Sequence, residues 1–155
     1  MGKVSASVVI DAPLAAVWDF YFEPATWPAW VDQFAKVESS NGYPESGCSL
    51  TWNSTRAGRG KVSERVVVHE PRTRHRIEFT DPESEGKLEV RFGIEPGEGT
   101  GSTKVEQEME YAISGGGPLS GITDVLFVRA QVRRSLERSL ARLRTEIEAG
   151  EAAAS

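Results

Sequence analysis

The feature that most constrains this chain is a change of period. From about residue 61 to residue 111 apolar and polar side chains alternate, and over 119–149 the apolar positions recur every three or four residues. The alternation is clearest where Val105, Gln107, Met109 and Tyr111 share one face and Lys104, Glu106, Glu108 and Glu110 the other. Leu88, Val90, Phe92 and Ile94 form a second such face, with Glu89 and Arg91 opposite, and His75, Ile77 and Phe79 a third. Period two with one dry face is the signature of antiparallel strands. The later segment places Ile122, Val125 or Leu126, Val132, Leu136, Leu140, Leu143 and Ile147 on one stripe of a single long helix. Strands with a dry face followed by one amphipathic helix must bury each against the other. The fold class expected is therefore α+β, a curved antiparallel sheet of six or seven strands gripping a long C-terminal helix.

The front of the chain adds two short helices. Val8-Val9-Ile10 reads as a strand, and Pro13 suits a first helical position ahead of Leu14–Phe20, since its missing N–H costs nothing there. Trp27-Pro28-Ala29-Trp30 reads as a second, aromatic-rich helix. The first half of the last helix, Val125-Leu126-Phe127-Val128, is apolar around more of its circumference than a surface helix needs. That excess predicts a helix half lying over a cavity between helix and sheet. Its outer face carries Arg134, Arg138 and Arg142, with Arg142–Glu146 and Arg133–Glu137 at helical pairing distance.

Bulk properties narrow the function classes. At 155 residues one domain is expected over 1–150, with a frayed tail at 151–155. No apolar run approaches the roughly 18 residues of a membrane span, and MGKVSASVVI carries no long apolar core of a leader. The single Cys48 favours a reducing, cytoplasmic setting. A net charge of −5 argues against nucleic acid as the main partner.

The run Ile10-Asp11-Ala12-Pro13, then Val17-Trp18, Trp27-Pro28-Ala29-Trp30, Glu70-Pro71-Arg72 between two strands, and a Gly-rich stretch with Pro118 before the last helix resembles the START-like (SRPBCC) superfamily. Within it, the chain looks like the polyketide cyclase/dehydrase-like branch. The resemblance covers nearly the whole chain and implies a helix-grip fold with an internal cavity. It implies a small hydrophobic ligand, aromatic or polyketide-like, and cyclisation or dehydration by acid–base chemistry. The same superfamily holds non-catalytic carriers and sensors and protein-interaction modules, which stand as alternatives. The protein is expected as a monomer or homodimer, without a cofactor.

Strand 61–69 reads two ways. Periodicity turns Val62, Val66 and Val68 inward together with Glu64, whereas the resemblance turns Ser63, Arg65, Val67 and His69 inward. A bulge within Val66-Val67-Val68 would join the two readings. Aromatase-type cyclases tend to show an Arg and a Ser on this strand and a Tyr after the second short helix. The matching positions here are His69, Val67 and Phe34.

The candidate catalytic residues are His69, which titrates near neutrality, and Glu64. Candidate ligand contacts are the walls Trp27, Trp30, Phe34, Trp52, Phe79, Val90, Phe92, Met109, Tyr111 and Leu126, with Arg65, Val67, His75 and Gln107 among them. Gln107 stands out because an amide on an apolar face must find a hydrogen-bond partner, which a ligand or water would supply. His69 and His75 flank the Glu70-Pro71 turn, but no Cys pair, HExxH or similar spacing completes a metal set. Gly97–Gly101 reads as a hairpin loop and Gly115-Gly116-Gly117-Pro118 as a linker. Neither has the Lys-Ser/Thr and helix of a phosphate-binding loop.

Overall fold

The computed structural model describes residues 2–96, 101–113 and 122–154. Seven strands are present: β1 (Gly2–Ile10), β2 (Phe34–Asn41), β3 (Ser49–Ser54), β4 (Lys61–Glu70), β5 (Arg74–Thr80), β6 (Ser84–Glu95) and β7 (Ser102–Ile113). They form one sheet in the order β1-β7-β6-β5-β4-β3-β2, every neighbouring pair antiparallel. Among the described residues three α-helices accompany it: α1 (Leu14–Tyr21), α2 (Trp27–Trp30) and the 33-residue α3 (Ile122–Ala154). α3 packs along β1 and touches α1 and α2. This is the helix-grip arrangement, a sheet closed around its last helix by two short helices. The hairpin loop at 97–100, the linker 115–118, residues 119–121 and the side chain of Ile122 lie outside the described residues.

Local sequence explains the front corner. Pro13 takes an extended conformation at the N-cap, one position before the expected one, and its carbonyl accepts the first helical bond, from Val17 N–H, at 3.1 Å. The Thr103 hydroxyl donates to the Ala12 carbonyl at 2.8 Å and ties this corner to β7. α1 turns Val17, Trp18 and Tyr21 into the core, the i, i+1, i+4 set of an amphipathic turn.

The core runs from Ile10, Leu50, Val62, Val66, Val90 and Val105 on the sheet to Leu136, Leu140, Leu143 and Ile147 on α3. The helical stripe therefore holds over its second half. At its first half the expectation holds in part: Val128 borders a hollow, whereas Val125, Leu126 and Phe127 are exposed and Leu126 is not among the residues lining the hollows described below. Helical structure continues to Ala154, beyond the expected end at 149. Among the described residues the expected pairs Arg142–Glu146 and Arg133–Glu137 are not seen, and the i,i+4 pair on this helix is Arg144–Glu148. Arg138 and Arg142 reach instead to Asp32, whose carboxylate they hold at 3.0 and 3.3 Å.

β4 combines both readings of its sequence. Val66 pairs with Ile77 and Val68 with Arg76, so Val67 is an extra residue bulged out of the ladder. Before the bulge the even positions Val62, Glu64 and Val66 face inward. After it His69 does, opposite His75. Arg65 and Val67 are thereby corrected as ligand contacts, because both are exposed on the outer face, Val67 at 41%.

Candidate active site between the sheet and the last helix

Two adjoining hollows lie on the concave side of the sheet. The inner one, of about 130 Å³, is walled by Trp27, Trp30, Trp52, Tyr21 and Tyr43, with Glu64, His75, Gln107 and Met109 among its other residues. The outer one, of about 640 Å³, is lined by Phe79, Met109, Tyr111, Val128, Val132 and Leu136 together with several arginines. Arg59, Met109, Ser135 and Leu136 border both, so the two chambers adjoin at these side chains.

The indole walls are fixed by polar bonds as well as by packing. Trp27 Nε1 donates to the Tyr21 carbonyl at 2.9 Å and Trp30 Nε1 to the Thr26 hydroxyl at 3.1 Å. Trp52 Nε1 donates to Glu64 Oε2 at 2.5 Å. Phe34 lies edge-on to Trp27 and tilted against Trp52, supporting the walls from behind. Tyr111 owes its place to Gly2 on the neighbouring strand. A Cβ there would come within 2.2 Å of the Tyr111 ring.

Three polar groups break the apolar inner wall. Burial pushes the Glu64 carboxyl up to about 7. The bond from Trp52 and the charge of Arg59 offset that push only in part. Gln107 donates its amide Nε2 to the Tyr21 hydroxyl at 2.9 Å, and its Oε1 is buried with no partner among the described residues. His75 is buried, its Nδ1 3.0 Å from His69 Nδ1 and its Nε2 without a partner among the described residues. Desolvation, and secondarily the neighbouring His69, press the His75 ring down to about 3, so it is neutral at ordinary pH. Burial raises both tyrosine hydroxyls, so Tyr21 and Tyr43 stay protonated. Two unpartnered polar atoms beside a readily protonated carboxylate form a set that a bound molecule can complete.

The candidate residues sort by position. Trp27, Trp30, Trp52, Glu64, His75, Gln107 and Met109 meet around the inner chamber, and Phe79, Met109 and Tyr111 around the outer. Phe34, Val90 and Phe92 pack behind the walls and line neither. His69 does not line the hollow either. Its ring lies against Trp18 and Phe22, both at 5.1 Å between centroids, and reaches the chamber only through His75. Sequence reasoning missed Tyr21, Tyr43 and Arg59. Tyr21 was within reach, four residues after the core position Val17. Tyr43 and Arg59 come from irregular segments without periodicity. Among the described residues no three His, Cys, Asp or Glu side chains are grouped to hold a metal ion, and no helix is long and apolar enough to cross a membrane.

Known proteins place this geometry in context. The aromatase/cyclase Zhui from Streptomyces sp. R1128 superposes with a TM-score of 0.75 at 16% identity, covering 95% of this chain and 93% of that one. TTHA0849 from Thermus thermophilus gives 0.70 at 18%, covering 96% and 99%. DynU16, from the dynemicin biosynthetic locus, gives 0.64 at 19% over 96% of this chain, which spans about half (48%) of that protein's length. At such identities the likeness speaks for the fold. No curated protein matches the sequence. The sequence pattern of one family does match, over residues 1–148. The chain belongs to the family of polyketide cyclases/dehydrases and lipid transport proteins.

Proposed function

We propose that the inner chamber binds a small, largely apolar aromatic or polyketide-like molecule, and that Glu64 serves there as the acid–base group of a cyclisation or dehydration. The observation that supports this reading is the Glu64 carboxyl set in an indole-walled chamber beside the unpartnered His75 Nε2 and Gln107 Oε1. A carboxyl poised at about 7 is ionised in part at neutral pH. It can take a proton from a carbon next to a carbonyl and return it to a departing hydroxyl. Neutral His75 in its Nε2–H form would donate to the carbonyl oxygen as the enolate develops, and Gln107 Oε1 would accept from a substrate hydroxyl. The aromatic walls would fold the substrate and exclude water. Family membership supports the ligand class.

The test is α-hydrogen exchange of a bound aryl ketone, 1-(2-naphthyl)ethanone, followed by NMR in D₂O. The protein should accelerate exchange, and Glu64→Gln should cut that acceleration roughly 10²–10⁴-fold. The dissociation constant from tryptophan quenching should change only a few-fold. Saturable quenching without any acceleration would leave a non-catalytic carrier as the reading.

A further inference from the structure

The outer chamber is chemically unlike the inner one. Among the described residues its lining has four arginines, Arg56, Arg59, Arg134 and Arg138, against one carboxylate, Glu83. Three of the four are engaged: Arg56 with Glu83, Arg138 with Asp32 at 3.0 Å, and Arg59 through its Nε with Asp81 at 2.9 Å. Arg134 has no acidic partner among the described residues. Arg59 is the informative one. Its side chain is only 19% exposed, and its guanidinium lies 5.2 Å from the Trp52 ring centroid, where the two chambers meet. Asp81 takes Nε alone, leaving both terminal nitrogens without a protein acceptor among the described residues. A mostly covered guanidinium whose two terminal nitrogens open onto the hollow offers donors that a bound acceptor can take.

The apolar part of the same chamber, Phe79, Met109, Tyr111 and Leu136, runs on into the indole-walled one. A molecule spanning the two would meet indole rings at one end and the open terminal nitrogens of Arg59, with Arg134 beyond, at the other. We propose that the ligand is an anionic amphiphile, an apolar or aromatic body carrying a carboxylate, whose acid group is bound by Arg59 at the junction and by Arg134 at the rim. This rests on the reading of the inner chamber as an aromatic-binding pocket. A planar, bidentate carboxylate fits the fork of terminal nitrogens that Asp81 leaves open. Arg59 sets where along the hollow the acid lies, and thereby which carbon of the body is brought to Glu64.

The test compares ω-(2-naphthyl)alkanoates of two to five carbons with their primary amides, by tryptophan quenching at pH 8 in low and high salt. The wild-type protein should bind at least one carboxylate about tenfold or more tightly than its amide, and salt should narrow the gap. Arg59→Met alone would strand the buried Asp81, so the charge is removed as Arg59→Met with Asp81→Asn. This double variant should bind acid and amide alike. Arg134→Gln, at an exposed position, should lose part of the preference. Equal binding of acids and amides by the wild type would overturn the proposal and leave the aromatic pocket standing. Binding of neither series would overturn both.

Discussion

The Nδ1 atoms of His69 and His75 lie 3.0 Å apart, so one proton serves both rings. If His69 holds it, His75 must carry its own hydrogen on Nε2 and offers the chamber a donor. If His75 holds it, Nε2 is an acceptor. His69 thus acts on the chamber by setting the tautomer of its neighbour. Long-range ¹⁵N spectra should show His75 neutral down to about pH 3, and His69 titrating below an ordinary histidine because burial disfavours its charge. A His75 ring protonated at pH 6 would contradict this account.

Glu64 and His75 pull stability in opposite directions with pH. The native carboxyl is raised from 4.5 to about 7, so it binds protons more tightly than the unfolded chain and loses stability as pH rises through that window. His75 is lowered from 6.5 to about 3, so it loses stability as pH falls through its window. The two windows overlap between pH 4.5 and 6.5, where the slopes offset each other. Denaturant melts of Glu64→Gln should show stability rising with pH there by roughly 1 kcal/mol per unit. His75→Asn should show it falling. Parallel curves for wild type and both variants would refute the coupling.

Asp32 joins the turn before β2 to α3, more than a hundred residues away. Its N–H donates to Ser139 Oγ at 2.8 Å, and its carboxylate accepts from Ser135, Arg138 and Arg142. Burial pushes this carboxyl up, but the bonds from Arg138 and Ser135 and the two arginine charges outweigh it and hold it below the ordinary range. Because the arginines are about half exposed, the solvent-screened value is modest. Asp32→Asn should cost about 1–2 kcal/mol at neutral pH. The deficit should shrink as acid protonates the wild-type carboxylate, a convergence that melts at pH 3 and pH 7 would show.

Leu126 is 58% exposed, and Val125 and Phe127 on either side are similarly open. Leu126→Ser should therefore change the melting free energy by no more than about 0.5 kcal/mol. Leu140→Ala, at a position 1% exposed on the same helix, should cost about 2–5 kcal/mol. Comparable losses at the two positions would mean that the helix face is assigned wrongly.

The fold was legible because each element obeys one period over many residues. Val105, Gln107, Met109 and Tyr111 kept their shared face, and Leu136, Leu140, Leu143 and Ile147 kept their stripe. The site was legible only where such patterns carry it, as for Gln107 and for the tryptophans of α2 and β3. Arg59 lies between strands and Asp32 in a turn, and their partners are distant in sequence, so no local spacing announces them. Leu126 failed for the opposite reason. Its apolar neighbours suggest burial, but composition does not say which side of a helix has something to pack against.

The bulge at Val67 has a consequence for what variation this strand can absorb. Glu64 and His69 stand an odd number of positions apart and face the same side only because one residue between them is not paired. A chain shortened by Val67 would retain both ladder registers, and with them both inward residues, on a straighter β4. Conversely, an insertion or deletion in the paired stretches 62–66 or 68–70 would exchange inside for outside on its own side of the bulge and leave the other side untouched. Bulges bend and twist the strand that carries them, so this unpaired residue supplies curvature. In β4 the unit of heredity for the chamber is thus the half-strand, with shape and chemistry able to drift separately.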